Sequence, residues 1–288
     1  MGDHILFAGL SYCAEEMVGT LHAQGVKMSA TVRDDGKAKY VSALGITPIL
    51  RDANNMAELC SGVTHVLLSA PPDAQTGDPL FPTLAPVITK LSSTIKWIGY
   101  LSTTGVYGDQ GGAWIDEDSP AGPLGERGKR RVDAEQKWRM LGARIACPTH
   151  FFRLPGIYGP GRNMLTTMRA GKARRIIKEG QVFSRVHVSD IAQTLVASMR
   201  QPNAGRCYNV CDDLPAPPAE VVEYAAELLG LAPPPAIAFE DAELSPMAQS
   251  FYAENKRLRN DRIKAELGVV LKYPTYKQGL QACLEAGD

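Results

Sequence analysis

The sequence predicts an α/β fold: a Rossmann-type, doubly wound parallel sheet with a small C-terminal lobe. The first half alternates short apolar runs, such as HILFAGL and HVLLSA, with amphipathic stretches that end in glycine. Apolar runs of this length, bounded by glycine or proline, are typical of strands that helices cover on both faces. After residue 165 the alternation loosens, and a proline-rich connection follows at 233–235. This change of pattern predicts the separate lobe.

The elements follow one another in the order that such a sheet requires. The predicted strands are HILFAGL, MSATVR, ITPIL, HVLLSA, WIGYLS and HFFRLPGIYG, and helical patterns join them. The later part contains a helix from SDIAQTLVASMR, a strand CYNVC and a helix in PPAEVVEYAAELLG. We expect a dinucleotide-binding domain at residues 1–165, to which residues 185–212 return. The C-terminal substrate lobe is expected to comprise mainly residues 166–288.

Composition argues against several classes of function. The 31 lysines and arginines of this 288-residue chain balance its 31 acidic residues. Nucleic acids and anionic membranes attract strongly basic surfaces, so we expect neither as a partner. We identify no signal peptide and no apolar run near the roughly 20 residues of a membrane span. The six scattered cysteines predict reduced thiols in a cytoplasm, and the separated histidines predict no metal site.

The first strand-to-helix turn, ILFAGLSYCAEEMV, partly matches a dinucleotide-binding fingerprint. Gly9, Ser11 and Ala14 take the places of its three glycines. Gly9 permits a tight turn and Ala14 permits close helix packing, whereas Ser11 leaves less room beside a pyrophosphate. An ordinary turn would show a similar pattern, so this match is weak by itself. The cofactor contacts expected here are Gly9, Ser11, Tyr12 and Cys13.

The end of the second strand predicts which dinucleotide binds. Arg33 follows Gly9 by 24 residues, at the position where an acid normally binds the ribose 2′-hydroxyl. Arginine suits a 2′-phosphate, so we expect NADP, with NAD as the alternative. A solvated charge at the strand end is the other interpretation of Arg33. Further cofactor contacts are expected after strands three and four, from Asp52, Ser69, Ala70 and Pro71.

Three later motifs resemble the NAD-dependent epimerase/dehydratase family of extended short-chain dehydrogenases/reductases. YLSTTGVYGDQGGAWIDEDSP resembles its strand-five segment, FRLPGIYGPGRN its strand-six motif and RVHVSDIA a later motif. The resemblance covers nearly the whole chain, and STTGVYGD and YNVCDDLPAPP are most similar to an atypical, YeeZ-like branch. It implies an NAD(P) cofactor, a small-molecule substrate and a homodimer formed through paired helices.

The resemblance also implies roles for individual residues. Thr103 corresponds to the family's hydroxyl that polarises a substrate carbonyl or alcohol. Turn formation is the alternative for this Ser-Thr-Thr cluster. For Glu117 the alternative is a solvated loop charge. For His187 the alternative is a buried structural role. The implied substrate contacts are Thr104, Tyr107, Glu117 and His187, and Pro155 is an implied cofactor contact.

The segment GERGKRRVDAEQ departs from the family's pattern. Family members carry a tyrosine and, four residues later, a lysine that lowers the tyrosine's pKa and binds the nicotinamide ribose. Alignment on RVDAE places Arg127 at the tyrosine and Arg131 at the lysine. A guanidinium has a pKa above about 12 and is no acid or base near neutrality. We therefore list both arginines as candidate catalytic residues, keep Arg131 as a ribose contact and leave the proton donor unassigned.

Other interpretations of this segment stay open. A shift of one residue would place Glu126 at the tyrosine position as a base. A solvated helix face with pairs such as Arg131 and Glu135 would carry no function. The arginines would also suit an anionic substrate. Finally, Phe183 stands where sugar-nucleotide members of the family carry an arginine, which disfavours a sugar-nucleotide substrate.

The leading prediction is an NAD(P)-dependent oxidoreductase of the atypical extended type, acting on a small carbonyl or alcohol. One alternative is a non-catalytic NAD(P)-binding protein that senses the redox state of its cofactor. The other is a sugar epimerase or dehydratase. The fold is compatible with all three, so the choice depends on the site.

Overall fold

The computed structural model describes residues 2–203 and 205–288. Among them the strands are β1 (His4–Ala8), β2 (Lys27–Val32), β3 (Thr47–Leu50), β4 (His65–Leu68), β5 (Trp97–Thr103), β6 (Trp114–Ile115), β7 (Thr149–Leu154), β8 (Gly156–Tyr158), β9 (Arg175–Ile177), β10 (Arg185–His187), β11 (Cys207–Asn209), β12 (Ala236–Ala238) and β13 (Arg257–Leu258). The α-helices are α1 (Tyr12–Glu16), α2 (Val18–Ala23), α3 (Asp35–Ala43), α4 (Met56–Leu59), α5 (Phe81–Lys90), α6 (Glu126–Arg144), α7 (Met164–Arg169), α8 (Val188–Arg200), α9 (Pro218–Leu228), α10 (Pro246–Tyr252), α11 (Asp261–Leu267) and α12 (Tyr276–Glu285). Short 3-10 helices span Thr104–Tyr107 and Phe239–Asp241.

Seven strands form a parallel sheet in the order β11-β7-β5-β4-β1-β2-β3. Strand β1 lies between β2 and β4, with Ile5 opposite Met28 on one side and His65 on the other. The chain therefore winds outward in opposite directions from β1. The connections that leave β1 and β4 therefore run toward opposite edges of the sheet. Folds of this type bind ligands at the carboxyl ends of two such strands. The predicted doubly wound parallel sheet is confirmed.

The chain divides into two compact units that alternate along the sequence. Unit 1 comprises the chain up to residue 103 together with residues 126–153 and 192–208. Unit 2 comprises residues 104–125, 154–191 and 209–288. The domain boundaries that we derived from the sequence stay a prediction, because compactness does not show that a unit folds independently.

The core of unit 1 follows from its apolar strands. All four residues of β4 and four of the five in β1 are buried, as expected for strands with helices on both faces. Phe81 of α5 packs edge-on against Trp138 of α6, with ring centroids 4.9 Å apart. The Trp138 indole N–H donates to buried Asp78 at 2.6 Å. This bond satisfies two polar groups that would otherwise be costly to bury.

Unit 2 contains short parallel strand pairs beside a small helical core. Strands β8 and β10 pair so that Gly156 lies opposite Arg185 and Tyr158 opposite His187. Strands β9 and β12 form a second pair, and β6 and β13 a third. Helices α7, α9 and α12 pack around buried apolar side chains that include Leu165.

We expect Gly142→Ala to destabilise the protein by about 1–3 kcal/mol, because its new Cβ has no room. That atom would lie 2.0 Å from Thr149 Oγ1 and 3.0 Å from the Cys147 carbonyl oxygen. Gly19→Ala in α2 is the matched control, since its Cβ meets no described atom within 4 Å. The control should stabilise by roughly 0.5–1 kcal/mol through helix propensity. Denaturant unfolding measures both changes, and equal free energies would contradict the packing argument.

Candidate functional site

The turn between β1 and α1 is built around Gly9. This residue has a φ of +82°, which favours glycine over residues with a Cβ. Its N–H donates to Thr31 Oγ1 at 2.9 Å, and its carbonyl accepts from Ser69 Oγ at 2.5 Å. The ends of β2, β1 and β4 are thereby hydrogen-bonded to one another where the strand order reverses. Two predicted cofactor residues, Gly9 and Ser69, therefore lie together.

Ser11 is the N-cap of α1. Its hydroxyl accepts a hydrogen bond from the Ala14 N–H at 3.3 Å, so the side chain folds back over the start of the helix. Tyr12, the first residue of α1, is half-buried, and Cys13 is buried in the core. The serine is therefore engaged by the helix itself, which leaves a compact turn in place of the glycine-rich one.

Arg33 is exposed immediately after β2. The next residue, Asp34, caps α3 by accepting from the Lys37 N–H at 2.8 Å. The Lys37 ammonium lies 4.1 Å from the centroid of the Tyr40 ring. The Asp34 carboxylate therefore caps α3, and the Arg33 guanidinium is the charged group that precedes it in the chain. The preference for NADP over NAD that Arg33 predicts stays a prediction.

The remaining predicted cofactor residues follow other strands. Asp52 lies exposed in the turn after β3, and Ala70 and Pro71 continue from β4 without regular structure. Because β1 to β4 are parallel neighbours, their carboxyl ends share one edge of the sheet. Unit 1 therefore gathers the predicted cofactor residues of the first four strands at that edge. Pro155, half-buried between β7 and β8, belongs to unit 2.

Arg131 is bonded to the strand that carries Thr103. Its Nη1 donates to the Leu101 carbonyl at 2.7 Å and to the Tyr100 hydroxyl at 3.3 Å. Thr103 ends the same strand and is half-buried. Tyr100 does not replace the missing tyrosine, because its side chain is fully buried and burial raises its pKa. The structure therefore joins α6 to β5 through the guanidinium of Arg131.

A buried carboxylate lies next to this contact and was missed by the sequence analysis. Glu135 of α6 accepts from Ser102 Oγ at 2.5 Å and from Arg153 Nη2 at 2.9 Å. It was considered as a partner of Arg131 on a solvated face, but its side chain is only 2% exposed. The apolar period Ala134, Trp138 and Leu141 marks the buried face of α6, on which Glu135 also lies.

The two other candidates in α6 are exposed. Glu126, the alternative base, begins the helix and pairs with Lys129 at 2.8 Å. Hydrogen bonding to Lys129 and its positive charge lower the pKa of Glu126, which makes the carboxylate a weaker base than usual. Arg127 is exposed in the first turn, at the position where the family carries its tyrosine.

In unit 2, three predicted substrate residues take part in internal packing. The Asn209 N–H donates to Glu117 at 2.7 Å, and the Tyr107 hydroxyl donates to the Asn209 side-chain oxygen at 2.8 Å. The second Glu117 oxygen lies 3.6 Å from Arg262 Nε, and burial raises the pKa of Glu117. Thr104, the first residue of the segment 104–125, is also buried. These contacts join residues 104–125 to β11, and substrate binding by the three residues stays a prediction.

His187 of β10 lies between aromatic rings. Its ring centroid is 5.2 Å from that of Tyr158 and 4.2 Å from that of Tyr273. The Ser189 N–H donates to His187 Nδ1 at 3.2 Å. Burial, with a smaller effect of Lys272, lowers the pKa of His187 from 6.5 to about 4. The ring is therefore neutral near pH 7, as a buried structural histidine would be.

Two kinds of site are not found in residues 2–203 and 205–288. No group of three or more His, Cys, Asp or Glu residues there is placed to hold a metal ion. No helix in the same residues combines the length and the apolarity needed to cross a membrane.

The six cysteines are free, and burial raises the pKa of Cys60 to about 11 and that of Cys147 to about 12. These two therefore remain thiols near neutrality.

The strand order, with its reversal at β1 and β4, defines a Rossmann-type dinucleotide-binding fold. No family model matches the chain. It is 49% identical to a functionally unknown conserved protein from Silicibacter pomeroyi DSS, with a TM-score of 0.91 over 99% of this chain and 100% of that one. A Methylobacillus flagellatus protein assigned as an NAD-dependent epimerase/dehydratase is 26% identical, with a TM-score of 0.72 over 99% of both chains. The chain is therefore similar in sequence and fold to a protein assigned to the NAD-dependent epimerase/dehydratase family, and the YeeZ-like branch stays a prediction.

Two further proteins connect the fold with chemistry. A 3-diazoavenalumate denitrifying reductase from Streptomyces sp is 26% identical over 309 residues, or 96% of this chain and 98% of that protein. A dTDP-glucose 4,6-dehydratase from Bacillus anthracis str. Ames, solved with NAD, is 17% identical with a TM-score of 0.75, over 100% of this chain and 98% of that one. At 17% identity, the similarity to the dehydratase shows only that the two proteins share a fold. The chain thus resembles a reductase in sequence and an NAD-bound enzyme in fold.

We expect His187→Gln to make the protein less sensitive to acid. Because the folded state lowers the pKa of His187, the unfolded state binds more protons between pH 6.5 and about 4. The stability contribution is therefore present above pH 6.5 and is lost as the pH falls through this window. The free energy of unfolding, measured against pH, should fall less steeply in the variant. His22→Gln, at an exposed histidine, is the control, and an unchanged slope in both variants would contradict the assignment.

Proposed function

We propose that the protein is an NADPH-dependent reductase of a small, electron-poor substrate in which no tyrosine delivers the proton. The observation that carries this proposal is the contact of Arg131 with β5, two residues before Thr103. The arginine takes the place of the family's lysine at the strand that ends in the polarising hydroxyl. Arg127 takes the place of the tyrosine. The site thus retains groups that bind and polarise while the usual proton donor is replaced.

The residues of unit 1 fit the cofactor. The Gly9 turn supplies the backbone for the pyrophosphate, and Arg33 supplies the cation for the 2′-phosphate. Arg131 stands at the position of the ribose-binding lysine. When bound, NADPH supplies a hydride. The same site accepts NAD less well, because the acid next to Arg33 is engaged as the cap of α3.

Hydroxyl and guanidinium groups of the chain itself polarise and hold the substrate. The Thr103 hydroxyl donates a hydrogen bond to the substrate atom on which negative charge develops. A guanidinium remains protonated near neutrality, so Arg127 holds an anionic substrate group and transfers no proton. The proton that a carbonyl substrate requires after hydride addition comes from water. Carbonyl reduction is therefore slower here than in family members with a tyrosine.

An aromatic diazo compound is a second candidate substrate, which the name of the 26% identical reductase favours. In the reaction that such a name describes, a hydride ion and an aryl diazonium ion give the arene and dinitrogen. The new carbon–hydrogen bond receives both electrons and its hydrogen from the hydride, and the carbon–nitrogen bond breaks with its electrons going to dinitrogen. This reaction needs no enzyme acid. Replacement of the tyrosine by Arg127 is therefore compatible with it.

A sugar-nucleotide substrate fits less well. Phe183 stands at the position of the arginine that holds a diphosphate in those relatives, and it packs edge-on against Tyr252 at 5.3 Å. Tyr252 in turn contacts Phe239, with centroids 5.2 Å apart. Phe183 itself therefore offers no charge to a diphosphate, and the Lys178 ammonium beside the cluster is stacked on Phe239 at 4.8 Å. The proposal also includes a homodimer and a cytoplasmic location, with which the free cysteines are compatible.

We expect Arg33→Asp to weaken NADPH binding by about 10–100-fold, as expected for loss of a hydrogen bond to a charged group. NADH affinity should change little or increase, because the new carboxylate suits a free 2′-hydroxyl. Titration calorimetry of the purified protein with each cofactor measures both affinities. Arg144→Asp has the same charge change on an exposed arginine in α6 and serves as the control. Equal affinity for the two cofactors, unchanged in Arg33→Asp, would overturn the NADPH preference.

We expect NADPH oxidation by the purified protein with an aryl diazonium salt or a small aldehyde, and about a 100-fold lower kcat in Thr103→Val. The loss of NADPH absorbance gives the rate, and gas release identifies dinitrogen. The rate with the diazonium salt should be insensitive to pH near neutrality, because this reaction needs no proton from the enzyme. Discrimination between oxidised and reduced cofactor without turnover would instead support a sensor. A tightly retained cofactor with sugar-nucleotide conversion would support an epimerase.

A further inference from the structure

Unit 2 contains a cavity of about 280 Å³ within its own fold. Apolar residues from β8, α7, α9 and α12 form most of its wall, and Arg185, Tyr276 and Tyr158 are among its polar residues. At about 30 Å³ for each water, the volume equals that of roughly nine waters. It is therefore large enough for a small organic molecule, and its lining combines apolar surface with a few polar groups, as ligand sites do.

Arg185 brings a positive charge to this cavity without a matching carboxylate. The half-buried side chain uses Nη1 to donate to the Phe183 carbonyl at 2.8 Å and the Ala216 carbonyl at 3.1 Å. Among the described residues, no acceptor bonds its Nε or Nη2, and no carboxylate lies within ion-pair distance. Burial lowers the pKa of Arg185, which indicates a poorly hydrated cation. Such a charge is costly unless an anion accompanies it.

The nearest acid does not neutralise this arginine at neutral pH. Asp212 is 2% exposed, and its Oδ2 has no hydrogen-bond partner in the described structure. Burial raises the pKa of Asp212 to about 8, although the Arg185 charge acts in the opposite direction. The carboxyl group is therefore largely protonated and neutral at pH 7. The positive charge of Arg185 then remains uncompensated.

Two phenols beside Arg185 also have hydroxyl groups without partners. The Tyr276 side chain is 2% exposed, and its hydroxyl makes no hydrogen bond with any described residue. Its ring centroid lies 5.9 Å from the Arg185 guanidinium carbon. The buried hydroxyl of Tyr158 also has no partner among the described residues. Because buried polar groups are nearly always hydrogen-bonded, the Tyr158 hydroxyl is available to a polar ligand, and Tyr276 lines the same cavity.

One edge of the cavity already binds a carboxylate of the chain itself. Asp288 accepts hydrogen bonds from the Gly161 N–H at 2.9 Å and from the Asn163 amide at 2.5 Å. Asn163 also lines the cavity. This contact uses those donors but leaves Arg185 and Tyr276 without a ligand. The local arrangement of donors therefore suits carboxylates.

We propose that the cavity of unit 2 binds a small monocarboxylate with a flat apolar body, whose carboxylate pairs with Arg185 and accepts a hydrogen bond from Tyr276. Arg185 has no carboxylate within ion-pair distance among the described residues, Arg162 also lines the cavity, and Arg is the side chain best suited to carboxylate recognition. The apolar body lies against side chains such as Met164 and Leu280. The proposal is independent of the reductase activity, because all of these residues belong to unit 2.

Benzoate is the probe, with benzamide as its neutral analogue. Calorimetric titration and saturation-transfer NMR on the full chain, without cofactor, should detect benzoate binding and none of benzamide. Arg185→Met should weaken benzoate binding by about 10–100-fold, and Tyr276→Phe by a few-fold. Arg259→Met changes an exposed arginine of the same unit that does not line the cavity, and it should bind benzoate as the wild type does.

Several outcomes would overturn the proposal. Absence of benzoate binding by the folded wild type is one, and equal binding of benzamide is another. If Arg185→Met fails to fold, Tyr276→Phe decides, because it removes only a hydroxyl without a partner. Unchanged benzoate affinity in the folded Tyr276→Phe protein would then reject the site. Because no cofactor is present, these results do not depend on whether the reductase proposal is correct.

The pH dependence gives a further readout in the same titration. The charged and titratable groups that act on Asp212 are Arg185 of β10, Asp190 of α8, Tyr158 of β8, Tyr276 of α12 and the neighbouring Cys211 and Asp213. As the pH rises through about 8, Asp212 ionises and neutralises Arg185, so benzoate affinity should fall. Asp212→Asn should bind benzoate with no such fall. A fall of the same size in Asp212→Asn would reject this assignment of the charge.

Discussion

The buried carboxylate of Glu135 fixes the arrangement on which the candidate chemistry in unit 1 depends. A charge that is only 2% exposed must be paired, and Arg153 and Ser102 provide the partners. Such a pair contributes little net stability, because both ions lose their hydration. What it contributes is position, since α6 can satisfy Glu135 only where Ser102 of β5 and Arg153 of β7 meet it. The helix that carries Arg127 and Arg131 is therefore aligned with the strand that ends in Thr103.

This alignment explains how the family's scaffold tolerates the loss of its tyrosine and lysine. Arg131 reaches the Leu101 carbonyl, a neutral acceptor, so its bond to β5 leaves its positive charge uncompensated. A lysine at this position would also supply a cation, but arginine can bond the strand with one nitrogen and keep further donors. In the proposed reductase, the substitution retains binding and polarisation while removing acid–base chemistry. That difference distinguishes a hydride-transfer site from one that must also move a proton.

The sheet was predictable because its signals are local. Apolar runs separated by amphipathic stretches indicate strands and helices without knowledge of their neighbours, and the order of the motifs is the basis of the family resemblance. The burial of Glu135 was not predicted, because a glutamate followed by a glutamine within a highly charged helix is typical of a solvated face. The contacts of Glu117 and Tyr107 with Asn209 could not be predicted either, because Asn209 lies 92 and 102 residues later in the chain, respectively. Charge type is visible in a sequence, whereas the partner of a charge is a property of the fold.

Three arginines of this protein show why the partner decides the role. Arg153 faces a buried carboxylate, so its charge is used within the fold. Arg131 bonds backbone and phenol oxygens, which hold its position but do not neutralise it. Arg185 also bonds backbone carbonyls, but it lines a cavity beside an acid that is protonated at neutral pH. By this criterion Arg153 is structural, while Arg131 and Arg185 retain charge for an anion. The two compact units therefore each contain an arginine that is positioned by the backbone and electrostatically unsatisfied, which is the physical requirement for recognising a negatively charged ligand.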